Sequence, residues 1–131
     1  MNQAIESGRA EFALKAVKDI QDNNVAKNYK SYAKKFPALV LSNGLAAAVV
    51  FVFEKSKGES NEKKAYRLIY NHISGWLTEK NFFNGNEKEL HEYVCSLNSD
   101  TYRVVTNEIL ALFEWFKRFA SGLIEGEADS N

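Results

Sequence analysis

The chain is poor in the residues that cross-link a fold or break its helices. Of its 131 residues, one is cysteine, one is proline and one is methionine. A lone cysteine, Cys95, cannot form an internal disulfide, which indicates a reducing compartment. The first eleven residues are polar and lack the apolar stretch of a secretory signal. We therefore expect a cytoplasmic protein that is stabilised by an apolar core.

A net charge of one sign is also missing. Lys and Arg together number 17, as do Asp and Glu, so the formal net charge is zero. This balance argues against a strong general affinity for nucleic acid. The charges are nevertheless unevenly distributed, because residues 1–57 hold nine basic and five acidic side chains while residues 58–131 hold eight and twelve. The asymmetry permits an anionic partner on one side without requiring one.

The most apolar segment is too short to cross a membrane. Residues 45–53 (LAAAVVFVF) carry no polar side chain, but residues 42–44 (SNG) precede them and Glu54-Lys55 follow. A membrane-spanning helix needs about 20 unbroken apolar residues, so we expect no membrane partner. A helix that is apolar on every side has to be buried on every side. Residues 45–53 are therefore predicted to form a central helix that the other helices surround.

The rest of the chain has helical periodicity and no sustained strand alternation. The first apolar stripe begins at Ile5, and Pro37 is expected to stop or kink the second helix. Five segments show the helical period: residues 5–22, 27–36, 62–77, 87–97 and 101–123. These patterns predict an all-α fold, with residues 1–131 forming a single compact bundle of about six helices. Residues 124–131 are predicted to be a flexible acidic tail.

The sequence contains no recognisable catalytic signature. It has no glycine-rich phosphate loop, no GxSxG elbow and no HExxH. His91 and Cys95 are four residues apart on a predicted helix and could supply two metal ligands, but two further ligands are not indicated. Cys95 itself is expected to be a buried structural cysteine. We predict a protein that is not an enzyme, with no metal and no cofactor, and keep a small enzyme using His91 and Cys95 as an alternative.

The best functional feature is a basic segment on the second helix. Lysines one helical turn apart can follow a phosphate backbone and displace its counterions. Tyr29 and Tyr32 could stack on bases, although their spacing toward Phe36 marks them first as core residues. The alternative for the lysines is a solvated helix face. The segment has no acid between its ends, and its lysines are Lys27, Lys30, Lys34 and Lys35.

Two other features allow both a structural and a functional interpretation. Arg9 lies on the apolar stripe of the first helix, where we expect it to pair with a carboxylate or a carbonyl and to pack through its stem. Direct contact with a ligand is the alternative for Arg9. Phe82 and Phe83 follow the fourth helix in a turn and look exposed. They suggest a second possible function, a helical adaptor that binds only proteins through these rings and the outer aromatics of the last helix.

Read as a whole, the chain resembles the small α-helical subunit of the type III-B CRISPR effector, the Cmr RNA-silencing complex. The resemblance is carried by blocks that span Arg9 to Ala120 in a fixed order. In this sequence they are Arg9-Ala10-x-Phe12-Ala13, Tyr29-x-x-Tyr32 with Lys35-x-Pro37, Asn43-Gly44-Leu45, Tyr102-Arg103-x-x-Thr106-x-Glu108 and Trp115-x-x-Arg118-Phe119-Ala120. Each block is weak alone, and their order makes the set fairly specific.

The resemblance implies a non-catalytic structural subunit of an antiviral ribonucleoprotein. In that family several copies stack beside the subunits that carry the guide RNA, and target cleavage belongs to another subunit. The implied partners are other Cmr subunits, further copies of the chain, and the guide and target RNA. The resemblance favours contact between the RNA backbone and the four lysines of the second helix. Arg103 and Arg118 match family blocks and are weaker candidates, together with Arg9, for contact with RNA or a neighbouring subunit.

Overall fold

The computed structural model describes residues 2–126, with side chains described from residue 6 onward. Within this range the chain forms six α-helices and no strand, which confirms the predicted all-α class. The side chain of Ile5 and the tail residues 127–131 lie outside the described residues. In chain order the helices are α1 (Asn2–Lys18), α2 (Asn23–Asn43), α3 (Leu45–Lys55), α4 (Asn61–Glu79), α5 (Leu90–Cys95) and α6 (Ser99–Leu123).

Short polar side chains determine where most of these helices begin. Asp22 accepts hydrogen bonds from the backbone N–H groups of Asn24 and Val25, at 2.9 and 3.3 Å. This cap starts α2 at Asn23 rather than at the predicted Lys27, and it separates α2 from α1. Ser60 and Asn98 cap α4 and α6 in the same way. Apolar periodicity alone predicts a first helix that continues to Asp22 and a second helix that begins only at Lys27.

We expected Pro37 to stop or kink the second helix; it lies inside α2 and does not end it, so the predicted stop is wrong. A proline in a helix interior removes one backbone hydrogen bond and is normally unfavourable. Here α2 has buried side chains both before and after the proline. Phe36 stacks on Phe113 of α6 at a centroid distance of 4.7 Å, and Val40 is also buried. Because both halves of α2 contribute to the same core, packing keeps the helix continuous through Pro37.

The helices share one apolar core. Helix α2 packs against α3, α4 and α6, whereas α1 packs chiefly on α6, and α5 packs on α3 and α4. The largest fully buried side chains come from α2, α4 and α6, and include Tyr29, Trp76, Phe113 and Phe116. No helix in the described part of the chain is long and apolar enough to span a bilayer.

Helix α3 is not surrounded by the others, which corrects the prediction of a helix buried on every side. Leu45, Ala48, Val49 and Val52 are buried on one face. On the opposite face Ala47 is exposed, and Val50 and Phe51 are 37% and 36% exposed. The prediction failed because the apolar composition of α3 does not require a core on each side. Helix α3 instead lies at the edge of the bundle, against α2, α4 and α5.

Candidate nucleic-acid interface

Two of the four predicted lysines contact the end of the last helix. The Lys30 ammonium donates hydrogen bonds to the carbonyl oxygens of Ile124 and Gly126, at 2.9 and 3.1 Å. Lys27 is half-buried beside the same segment, since a Cβ atom placed on Gly126 would lie 3.0 Å from its Cε. A lysine at a helix C-terminus satisfies carbonyls that lack intrahelical partners. Lys27 and Lys30 therefore have a structural role in holding the C-terminal end of α6 against α2.

The other two lysines, Lys34 and Lys35, are exposed. None of the ion pairs found among residues 6–126 includes either of them. They stand on a helix whose opposite face is buried through Tyr29, Ala33 and Phe36, so their backbone positions are rigid. Lys35 also forms part of the wall of a groove between α2, α3 and α4. Among the four lysines, this pair is the most available to an anionic partner.

A further basic residue, Lys18, was missed in the sequence. It lines a cleft of about 720 Å³ with Lys27, at the place where the end of α1, the start of α2 and the end of α6 meet. Lys18 is the last residue of α1, and the chain turns directly after it. The sequence did not distinguish Lys18 from other surface lysines, because the predicted first helix continued to Asp22 and placed Lys18 on its polar side.

Arg9 takes part in an internal network. Its Nε and Nη2 atoms donate to the two carboxylate oxygens of Glu108 on α6, both at 2.9 Å. The indole N–H of Trp76 on α4 donates to the same carboxylate at 2.7 Å. The hydrogen bonds from Arg9 are the main cause that lowers the pKa of Glu108. The expected carboxylate partner of Arg9 is therefore present, and Arg9 joins α1 to α6.

Arg103 and Arg118 are exposed on α6. The Arg103 side chain is 72% exposed and lies 3.8 Å from Asp100. The guanidinium carbon of Arg118 lies 5.7 Å from the centroid of the Trp115 ring. The two arginines are about 22 Å apart along the helix axis, so they do not converge on one site. They remain candidates for a contact with a neighbouring molecule.

The two tyrosines proposed for base stacking have different environments. Tyr29 is fully buried, and its hydroxyl lies 2.8 Å from Nδ1 of His72. Tyr32 is half-buried and stacks on Tyr66 of α4 with a centroid distance of 3.9 Å. Tyr29 is thus a core residue. The ring of Tyr32 already has an aromatic partner, and its edge forms part of the groove beside Lys35.

The residues of the two alternative functions are largely engaged in packing. His91 stacks on Phe53 at 3.9 Å. Cys95 is exposed rather than buried as expected, and no group of three potential metal ligands occurs within the described residues. Phe82 and Phe83 are half-buried against the core, and Phe83 stacks on Tyr93 at 4.7 Å. The apparent exposure of these two rings in the sequence was misleading, because the turn folds back onto α5.

Comparison with known proteins assigns the family. Residues 5–123 match the family model described as CRISPR-associated protein (Cas_Cmr5). The chain belongs to the CRISPR-associated Cmr5 family. It is similar to CRISPR system Cmr subunit Cmr5 of Thermus thermophilus, with 32% identity over 116 residues that cover 88% of this chain and 92% of that relative.

A solved structure supports the assignment to the Cmr5 family. The fold is similar to the X-ray crystal structure of a CRISPR-associated Cmr5 family protein, also from Thermus thermophilus, with a TM-score of 0.63 and 30% identity. The similarity covers 89% of this chain and 94% of the solved one. The resemblance predicted from ordered sequence blocks is therefore confirmed at the level of the family.

Several of the blocks that carried the Cmr5 resemblance meet in space. Arg9 of the first block binds Glu108 of a later block. Gly44 immediately precedes α3 and has a φ of +91°, a backbone conformation that residues other than glycine rarely adopt. The Tyr102 hydroxyl lies close to Gly44 and accepts a hydrogen bond of 2.8 Å from the backbone N–H of Ala46. The blocks thus contain residues that hold helices α1, α3 and α6 in their relative positions.

Proposed function

We propose that this Cmr5-family chain is a non-catalytic structural subunit of a type III-B CRISPR ribonucleoprotein. It assembles with other Cmr subunits and with further copies of itself, and it contacts the backbone of the guide or target RNA. The family assignment supports the assembly. The observation that carries the RNA contact is the exposed pair Lys34 and Lys35 on one rigid helix, without an ion-pair partner among residues 6–126.

The four lysines of α2 contribute unequally in this proposal. Lys34 and Lys35 bind phosphates directly, because their ammonium groups are open to solvent. Lys27 and Lys30 hold the end of α6 first and add positive potential along the same helix. A few phosphate contacts per copy suffice when several copies act together, since linked contacts multiply in affinity. The zero net charge of the chain agrees with this limited contribution.

The test replaces the exposed pair with residues of opposite charge. Lys34→Glu combined with Lys35→Glu should weaken RNA binding by the assembled complex about 10-fold or more at ~0.1 M salt. It should also reduce the slope of log affinity against log salt by about one for each lost phosphate contact. The measurement is a filter-binding titration with labelled target RNA at several KCl concentrations.

A matched double variant controls for the change in net charge. Lys15 and Lys88 are exposed and lie on α1 and in the turn before α5. Lys15→Glu combined with Lys88→Glu makes the same charge change away from α2 and should leave the salt slope unchanged. If both double variants bind RNA equally well at every salt concentration, Lys34 and Lys35 do not contact RNA.

A further inference from the structure

An apolar groove lies between α2, α3 and α4. Its volume is about 380 Å³, within the range of roughly 300–1,000 Å³ typical of binding clefts. Helices α2 and α4 supply Tyr32, Leu39, Tyr66 and Ile69, and α3 supplies Phe51 and Val52. Phe51 meets the edge of Tyr66 at 5.9 Å and is 36% exposed. A partly exposed phenylalanine beside an open apolar recess is typical of a protein interface.

The surroundings of the groove are predominantly basic. Lys35 forms part of its wall. Lys34, the preceding residue of α2, is also exposed. The Lys55 ammonium lies 5.6 Å from the centroid of Phe51. Glu62 is close enough to influence Tyr32 and Tyr66, and Glu54 is exposed on α3, three residues after Phe51. A partner with acidic residues around an apolar centre matches this distribution.

The lining disfavours a nucleobase as occupant. A base buried in the groove would bring its N–H and C=O groups against Leu39, Val52 and Ile69, where few polar partners exist. Ser42 is one polar residue of the wall, and its hydroxyl already donates to the Leu39 carbonyl oxygen at 3.4 Å. Two copies placed groove to groove would bring Lys34, Lys35 and Lys55 of each copy together, which is unfavourable.

We propose that this groove docks an acidic amphipathic helix from a different protein chain of the complex. One or two large apolar side chains of that helix enter the recess beside Phe51, and flanking Asp or Glu residues pair with Lys55 next to it, while the stem of Lys35 forms part of the wall. The proposal rests on the assembly role proposed above and names the surface for one protein partner. It can be tested apart from the RNA contact, because docking is measured with proteins alone.

Two alanines provide a matched pair of variants. Ala38 is exposed and lines the groove, whereas Ala47 is exposed on α3 outside it. Ala38→Glu places a carboxylate at the groove and should weaken incorporation of the chain into the ribonuclease-treated complex of the other subunits at least 10-fold. Ala47→Glu should incorporate as the unmodified chain does, and circular dichroism should show equal helicity for both. Equal incorporation of the two variants would overturn the proposal.

Lys55→Glu tests the charge without touching the RNA-binding lysines. It should weaken docking several-fold at low salt and less at high salt, while Lys88→Glu should not. Lys34 lies outside the groove lining, so the RNA affinity of the Lys34→Glu variant reports separately on the proposed function.

A photo-cross-linker identifies the occupant. With p-benzoylphenylalanine in place of Ala38, irradiation of the assembled complex should join this chain to another protein. Mass spectrometry should then place the cross-link in a segment with apolar residues at helical spacing and flanking acids. Cross-links to RNA, to a second copy of this chain, or to no molecule would each contradict the proposal.

Discussion

Glu108 is a single side chain that links three helices. Its carboxylate on α6 accepts hydrogen bonds from Arg9 on α1 and from Trp76 on α4. The side chains of Arg9 and Glu108 are only 16% and 13% exposed. Removing one partner of a charged pair in such a place leaves the other poorly solvated. The network therefore stabilises the fold more than an exposed ion pair does.

Glu108→Gln should lower the free energy of unfolding by about 2 kcal/mol. Gln keeps the size of the side chain and one carbonyl acceptor but loses the charge that Arg9 pairs with. Urea unfolding followed by circular dichroism measures the difference. Glu114→Gln is the control, because Glu114 is on the same helix and makes an exposed pair with Lys117 at 3.4 Å, which is worth little. Equal stability of the two variants would contradict the structural role of Glu108.

At the scale of the helices, the start of α3 depends on a residue from another helix. Gly44 precedes α3 and has no side chain that could cap it. The Tyr102 hydroxyl of α6 accepts the Ala46 N–H instead. The first turn of α3 is therefore capped by a side chain from a distant part of the sequence and not by its own neighbouring residue.

Tyr102→Phe should remove this cap and destabilise the protein by about 1 kcal/mol. Hydrogen exchange offers a local measurement. The Ala46 amide should exchange faster in the variant, while the Val52 amide, inside the same helix, should change only by the global loss of stability. Unchanged protection of Ala46 would show that the hydroxyl does not cap α3.

The sequence predicted some properties of the helices and not others. The number and type of helices follow from apolar periodicity, and α6 was predicted within a few residues because its stripe is long. The continuity of α2 through Pro37 could not be predicted, because it depends on Phe36 and Val40 meeting a core supplied by other helices. The exposed side of α3 was missed for the same reason, since composition does not reveal which neighbours a helix has.

The sequence indicated which lysines belong to the candidate site, but it did not indicate what each of them contacts. The charge pattern identified Lys34 and Lys35, which are exposed as expected. It could not separate them from Lys30, because the carbonyls of Ile124 and Gly126 reach Lys30 only after α6 has packed on α2. Contacts between residues this distant in the sequence leave no local signal.

At the scale of the whole molecule, two half-buried groups predict a loss of stability in acid. Burial lowers the pKa of His72 from 6.5 to about 4. Between these values the unfolded chain binds a proton that the folded chain does not, so stability falls as the pH falls through this range. The lowered pKa of Glu108 adds a loss below its usual value of 4.5, because the folded state favours the carboxylate.

Unfolding measured from pH 7 to pH 4 should therefore show a decline of up to about 3 kcal/mol from His72. His72→Gln should flatten the decline between pH 6.5 and 4.5. His91→Gln leaves His72 in place and should keep the decline. A chemical-shift titration of the two histidines checks the origin, and a His72 resonance that titrates near its ordinary pKa would contradict the assignment.

The uninterrupted course of α2 has a mechanical consequence. Lys34 and Lys35 lie before Pro37 on α2, whereas Ala38, Leu39 and Ser42 of the groove wall lie after it on the same continuous helix. A helix that broke at Pro37 would let these two parts swivel independently. Because α2 is continuous, a partner seated in the proposed groove would fix the orientation of Lys34 and Lys35, the residues proposed to contact RNA.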